Sequence, residues 1–207
     1  MSRAADLAKS GHTESEEFAG ALMEALVISG LAMQLCGNSR PASGAEHHLA
    51  HFWEMKYELM GLPPVFHGKK VGVAAGLVAD IYRGLAAFPD YSERRLPFNE
   101  AEVSKAYGVL WKEAASENIP DPLDEVPVNA IAEKEELIRK VLMSVPSGDE
   151  IRALISASGG AATCEECGIS EELKLDAVKF GKYVRRRLTC MKLTDLLNIE
   201  GGVEQWL

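Results

Sequence analysis

Basic charge is scarce in this 207-residue chain: 22 lysines and arginines stand against 31 aspartates and glutamates, for a formal net charge of -9. A protein that lives on nucleic acid needs a basic surface to displace phosphate counterions, so the balance argues against that class of partner. Cysteine is scarce too. Cys36, Cys164, Cys167 and Cys190 are too few and too scattered for a disulfide framework and are expected to stay reduced. Cys164 and Cys167 form a lone C-x-x-C, but no second pair or adjacent histidine completes a zinc cage, and no strand pattern around it suggests a redox motif. No apolar run reads as reaching the roughly 18 residues that a bilayer span requires, so no membrane span is expected. The opening MSRAADLAKSGHTESEE turns acidic where a secretory signal would be apolar, and the expected location is the cytoplasm. Strand-like alternation is almost missing, and no Gly-rich loop follows a strand, so these residues offer no nucleotide-binding site of their own.

What is present is helical periodicity. Phe18, Leu22, Leu26, Ile28, Leu31 and Leu35 recur on one broad face of a long helix, capped by Thr13 with Glu16 or else by Ser15, and stopped by Gly37 after Cys36. Ser43 and Glu46 stand in the S-x-x-E relation of a capping box and predict a second helix to about Met60. Gly61, Pro63 and Pro64 break the chain, after which Val71 to Leu85 is apolar on nearly all sides and belongs in the interior. There Gly72, Ala74, Ala75 and Gly76 would admit close neighbours. Polar, proline-bearing connections are expected at Phe88 to Phe98 and Asn118 to Val128, with helices at about 99–117, 129–144, 147–157, 170–187 and 190–198. The basic run Lys182 to Arg187 reads as a solvated face near a helix end. The expected fold is all-α, a single-domain bundle of about eight helices over 1–207.

The five histidines are not scattered: His47, His48 and His51 share one helix and His67 opens the next. Residues four apart on an α-helix lie about 40° apart around its axis, so His47 and His51 share a face while His48 points about 100° away from His47. The Pro63–Pro64 turn sends the chain back, which lets His67 face that pair. Two imidazoles from different helices plus a carboxylate suit a divalent transition metal with open positions for substrate oxygen. The sequence offers the imidazoles more clearly than the carboxylate. The helix start beside Ser43 and Gly44 would also welcome an anion such as a phosphate. Against this stands the plain alternative that histidines four apart near a helix start arise by chance.

The stretch SGLAMQLCGNSRPASGAEHHLAHFWEM, Ser29 to Met55, followed by FHGKKVGV, Phe66 to Val73, resembles sn-glycerol-1-phosphate dehydrogenases. The likeness continues through AATCEECGISEEL and RRRLTCMKLTDLL, so it covers essentially the whole chain. That family is similar to glycerol dehydrogenases, iron-containing alcohol dehydrogenases and dehydroquinate synthases, in which a helical C-terminal domain packs against a nucleotide-binding α/β domain with the site between them. The resemblance implies reduction of dihydroxyacetone phosphate to glycerol 1-phosphate by NADH or NADPH, with zinc or nickel held by one aspartate and two histidines. By position in the motif the metal histidines match His47 and His67, and His51 matches the histidine that contacts substrate. On helical geometry alone His51 competes with His47 as ligand. His48 is read as supporting or structural. In the mechanism so implied, the metal polarises the ketone while hydride arrives from nicotinamide, and His51 delivers the proton. Ser39 and Arg40, in the turn ahead of the helix, are candidate phosphate or cofactor contacts, with a structural turn as the alternative.

The family's aspartate has no counterpart in context here, since Asp6 in AADLAKSG does not match it. The expectation is therefore a helical half with two of three protein ligands, weakened in metal affinity, inactive alone and exposing apolar surface where a nucleotide-binding partner in cis or trans would pack. A homo-oligomer is left open. The competing hypothesis is a non-enzymatic helical module that keeps the fold as a binding or structural unit.

Overall fold

The computed structural model describes residues 2–95 and 98–207. Among the described residues eleven α-helical segments follow one another: α1 (Ser2–Lys9), α2 (Glu16–Cys36), α3 (Ala45–Leu59), α4 (His67–Ala87), α5 (Glu100–Tyr107), α6 (Trp111–Asn118), α7 (Ala130–Glu133), α8 (Glu135–Met143), α9 (Gly148–Ala157), α10 (Glu171–Phe180) and α11 (Cys190–Leu193). Short 3-10 turns join several of them, and among the described residues the only β pairing is an isolated bridge between Glu93 and Leu197. The fold is an all-α bundle. Residues 96 and 97 of the expected 88–98 connection lie outside the described residues.

The boundaries show where local chemistry decides. Ser15 caps α2, its side chain accepting from the Phe18 amide, and Gly37 closes it in the left-handed region at φ 71°. Ser147 and Glu150 form the predicted capping box at the start of α9. The box predicted at Ser43 does not form. The cap residue of α3 is Gly44 and no side chain caps it; Glu46 instead reaches back to the Gly44 amide at 2.7 Å. The helix predicted over 99–117 is interrupted at Gly108, whose φ of 56° only glycine adopts cheaply. The one over 129–144 breaks at Lys134, and those over 170–187 and 190–198 tighten into 3-10 turns after Phe180 and Leu193. α1 was not foreshadowed by any apolar period.

The core centres on α3 and α4. Leu49, Phe52 and Trp53 from α3 meet Val73, Ala74, Val78 and Ile81 from α4, joined by Val103, Tyr107, Ala177 and Val178. Directional bonds fix the layers: Trp53 Nε1 donates to the Leu173 carbonyl at 2.9 Å, and the Tyr57 hydroxyl donates to the Gly168 carbonyl at 2.8 Å. The small residues of α4 do admit a close neighbour. A Cβ at Gly148, at the start of α9, would stand 2.7 Å from the Gly76 carbonyl oxygen and closer still to the Asp80 carboxylate. Arg152 of α9 answers that carboxylate at 2.7 Å.

The basic run is not simply a solvated face. Lys182 is buried against Asp195, Arg186 binds the Pro120 carbonyl and Glu125, and Arg187 binds the Ser43 carbonyl and the Ser39 hydroxyl. These side chains tie the C-terminal segment to distant loops. The helix α2 departs from expectation more sharply. It is long and apolar enough to cross a membrane by length and composition, with a mean hydropathy of 1.6 over its best window, and only 6% of that window is buried. The reading that no apolar run reaches span length therefore fails for α2.

Candidate metal centre

Four side chains of α3 line up along one stripe: His47, His51, Glu54 and Glu58, spaced so that each lies within about 60° of the next around the axis. The opposite face is given to the core, with Ala45, Leu49, Phe52 and Trp53 buried. The Gly61 turn and the prolines after it bring α4 back so that its first residue, His67, stands against the stripe. The three imidazoles converge. Ring centroids lie 5.1 Å apart for His51 and His67, 5.4 Å for His47 and His67, and 6.3 Å for His47 and His51.

Each ring uses the same nitrogen in the same way. His47 Nδ1 lies 2.8 Å from Glu46 Oε1, His51 Nδ1 lies 2.8 Å from Glu54 Oε2, and His67 Nδ1 lies 2.7 Å from Glu54 Oε1. A carboxylate can only accept, so Nδ1 carries the proton in all three neutral rings and the lone pair is left on Nε2. Lys70, one turn into α4 and 3% exposed, adds its ammonium 3.2 Å from Glu54 Oε1. Burial alone would push the Glu54 carboxyl up, but donation from His67, His51 and Lys70 outweighs it and holds the group down at about 2. Glu54 is therefore a carboxylate at any ordinary pH. Ligand atoms of His51, Glu54 and His67 also lie within 4.8 Å of one another, a donor set of nitrogen and oxygen that fits zinc, nickel or a similar ion.

The remaining expected residues sit differently. Ser39 is engaged, its Oγ accepting from Arg187 at 2.7 Å, while Arg40 is exposed and its backbone amide closes a turn onto Asn38. The helix start is not open to an anion in the way expected, because Glu46 already answers the Gly44 amide. His48 points into the core, 1% exposed, with neither ring nitrogen bonded; burial, reinforced by Arg187, pulls its pKa down to about 4. The four cysteines are free thiols. Beside the imidazoles a cleft of about 540 Å³ runs from His51 and Glu54 past Met55, Tyr107 and Leu110 to Arg185.

Sequence reasoning missed Glu54, Lys70 and Arg187. The first was within reach, since Glu54 falls three residues after His51 on the same stripe. Lys70 likewise falls three after His67. Arg187 was not, because its partner Ser39 is 148 residues away.

No family model matches the chain, and no solved structure matches it. Curated relatives do. It is 33% identical over 168 residues to the glycerol-1-phosphate dehydrogenase [NAD(P)+] of Bacillus velezensis, an alignment covering 81% of this chain and 34% of that protein. It is 31% identical over 170 residues to the enzyme of that name from Halalkalibacterium halodurans, covering 82% and 36%. With the one from Geobacillus stearothermophilus the identity is 34% over 152 residues, covering 73% and 32%. The chain thus spans about a third of the length of the curated relatives it matches. On the likeness along most of its own length, this chain belongs to the glycerol-1-phosphate dehydrogenase family.

Proposed function

We propose that the chain is the helical, metal-binding part of a glycerol-1-phosphate dehydrogenase, working with a nucleotide-binding part in cis or in trans to reduce dihydroxyacetone phosphate, and inactive by itself. The observation that carries this reading is the convergence of His47, His51 and His67 from two helices, with every Nε2 left free by a carboxylate on Nδ1. His47 and His67 would hold the metal, zinc or nickel. When bound, the metal supplies a Lewis acid that polarises the substrate carbonyl and steadies negative charge on its oxygen.

The chain's own residues do the rest of the work assigned to it. Glu54 fixes the tautomer of His51 and His67 together, so their Nε2 atoms are presented as acceptors rather than donors. His51, which lines the cleft, would pass a proton to an alkoxide only after its Nε2 has first taken one up, the resulting imidazolium keeping its Nδ1–H on Glu54. The cleft walls of Met55, Tyr107 and Leu110 keep water from one side of the substrate. Arg40 and Ser39 remain the proposed phosphate contacts of the preceding turn, Ser39 only once Arg187 lets go of it. NADH or NADPH would bind in the partner part, since the described residues hold no strand to build a nucleotide loop on.

A non-enzymatic helical module is the second reading, and the exposed apolar helix α2 favours it, because such a face serves a binding unit directly. Activity on dihydroxyacetone phosphate separates the two. We expect no turnover from the chain alone and NAD(P)H-dependent, metal-dependent turnover once it is joined to the nucleotide-binding region of a relative. Equal activity in both proteins would overturn the division of labour, and none in either would leave the module.

A further inference from the structure

We infer that Cys164 and Cys167, in the loop between α9 and α10, form a redox-active dithiol that closes to a disulfide by exchange with a low-molecular-weight disulfide and is reopened by thiols. Among the described residues the donors close enough together to hold a metal ion are His51, Glu54 and His67, so the two sulfurs are not part of a metal cage. Nor does the pair need a strand beneath it, because its own turn supplies the geometry. Cys164 enters with helical torsions of φ -59° and ψ -40°, Glu165–Cys167 form a 3-10 turn, and the Cys167 amide donates to the Cys164 carbonyl at 3.1 Å. A 3-10 helix has three residues per turn, so side chains three apart eclipse. At about 2.0 Å of rise per residue their Cα atoms stand about 6 Å apart, inside the span of about 4.4–6.8 Å that a disulfide bridges.

The turn is held before any bond forms. The Ile169 amide donates to the Cys164 carbonyl at 2.8 Å, and the Glu166 carboxylate accepts from the Ala162 and Thr163 amides at 2.7 and 3.1 Å. Gly168 turns the chain at φ 68°, and the Tyr57 hydroxyl of α3 pins its carbonyl at 2.8 Å. Ring closure therefore orders little that is not ordered already, which raises the effective concentration of one sulfur at the other.

Exposure assigns the order of events. Cys164 is half-buried and Cys167 buried, so an incoming disulfide meets Cys164 first. The Cys164 thiolate attacks one sulfur of the reagent, whose S–S bond breaks and releases one thiolate. The Cys167 thiolate then attacks the Cys164 sulfur of the mixed disulfide and expels the second. Two electrons pass from the pair to the reagent, and the two protons that the pair gives up go to the two leaving thiolates. Burial, opposed by Lys174, pushes the Cys164 thiol up to about 11, and burial raises Cys167 as well. Thiolate is therefore scarce near neutral pH and exchange is slow. The same burial leaves the open form without a stabilised thiolate, the feature that makes a disulfide easy to reduce, so the closed pair resists reduction.

The test uses the full chain, equilibrated without oxygen at mildly alkaline pH in mixtures of reduced and oxidised glutathione until no further change occurs. Free thiols are then alkylated in the unfolded chain, and its peptides are read by mass spectrometry. As the share of oxidised glutathione rises, we expect Cys164 and Cys167 to be lost together, their peptide becoming lighter by two hydrogens. Exposed Cys36 should take up glutathione singly and serves as the internal reference. Cys167→Ser should stop the reaction with glutathione on Cys164. In the parent chain, glutathione that stays on Cys164 while Cys167 remains free would mean that the sulfurs do not meet, and would overturn the inference. A pair still reduced in mixtures where Cys36 already carries glutathione would overturn it equally. Both outcomes are read on the parent chain, so neither depends on the variant folding.

Discussion

Helices α2 and α4 are both 21 residues long and both rich in apolar residues, yet they have opposite fates. Nine residues of α4 are buried, from Lys70 to Ala86, whereas α2 buries only Ala21 and leaves Met23, Leu26, Val27, Ile28 and Leu31 more than half exposed. The difference is not in the helices but in what lies over them. α4 is flanked by α3, α8 and α9, while α2 has α1 along one side. Local sequence makes a helix, and only the rest of the fold makes it a core helix. The site sits on the covered side of this divide: rigid packing beneath α3 and at the start of α4 is what holds three imidazoles within a few ångströms of each other.

The largest expected effect tests the covered side. Ile81, fully buried in α4, should cost between about 2 and 5 kcal/mol when cut to Ala, because the surrounding helices cannot close the cavity. Urea unfolding reads this directly, and a loss under about 1 kcal/mol would mean that α4 is not the packed helix described here. Next comes His48, on the buried face of α3. Its pKa is about 4 in the folded chain against 6.5 for an ordinary histidine, owing first to burial and then to Arg187, with Glu46 opposing and His51 and Arg185 adding a little. The unfolded chain therefore takes up a proton that the folded chain refuses. Stability from this group is full above pH 6.5 and is lost as the pH falls toward 4, on the order of 3 kcal/mol in total. His48→Leu should flatten that part of the pH profile, measured without metal so that the site histidines do not mask it. A slope as steep in the variant as in the parent chain would place the pH sensitivity elsewhere.

These two tests touch features of unequal legibility. The all-helical class and the fate of α4 followed from period and composition, because a segment apolar all round has to be covered. The meeting of His47, His51 and His67 followed from a four-residue spacing and a proline turn, which are short-range geometry. Glu54 was legible by the same spacing and needed only to be looked for along the stripe. By contrast, the break at Gly108 was hidden, since a lone glycine in a helical pattern costs only about 1 kcal/mol and is tolerated. Arg187 on Ser39 and Ser43 was hidden too: contacts across more than 140 residues leave no local trace. Nor could any pattern say that α2 would stand uncovered.

A smaller effect separates two copies of one motif. Ser147 and Ser43 both precede a glutamate by three residues, but only Ser147 caps, accepting from the Glu150 amide at 3.3 Å while Glu150 answers the Ser147 amide at 2.8 Å. Ser147→Ala should cost about 1 kcal/mol and loosen α9 from α4. Ser43→Ala should change stability by well under that, since only the Ser43 carbonyl is used, and any residue supplies one. Equal losses in the two variants would show that Ser43 caps α3 in solution after all.

The smallest effect on stability is expected on the uncovered helix, and it is the one that can break the comparison. Leu26, 59% exposed in the middle of α2, should tolerate replacement by Gln within about 0.5 kcal/mol, because little apolar area is returned to water when it is lost. The polar residue should also lower any tendency of the chain to associate, since it interrupts the exposed apolar side chains of α2, Leu22, Met23, Val27 and Ile28 among them. Unfolding followed at several protein concentrations, with sedimentation in parallel, gives both readings. If the midpoint for the parent chain rises with concentration and Leu26→Gln removes the rise, α2 is covered in solution by another copy. The contrast with α4 would then be one of partners, within the chain for α4 and between chains for α2, and not one of burial against exposure.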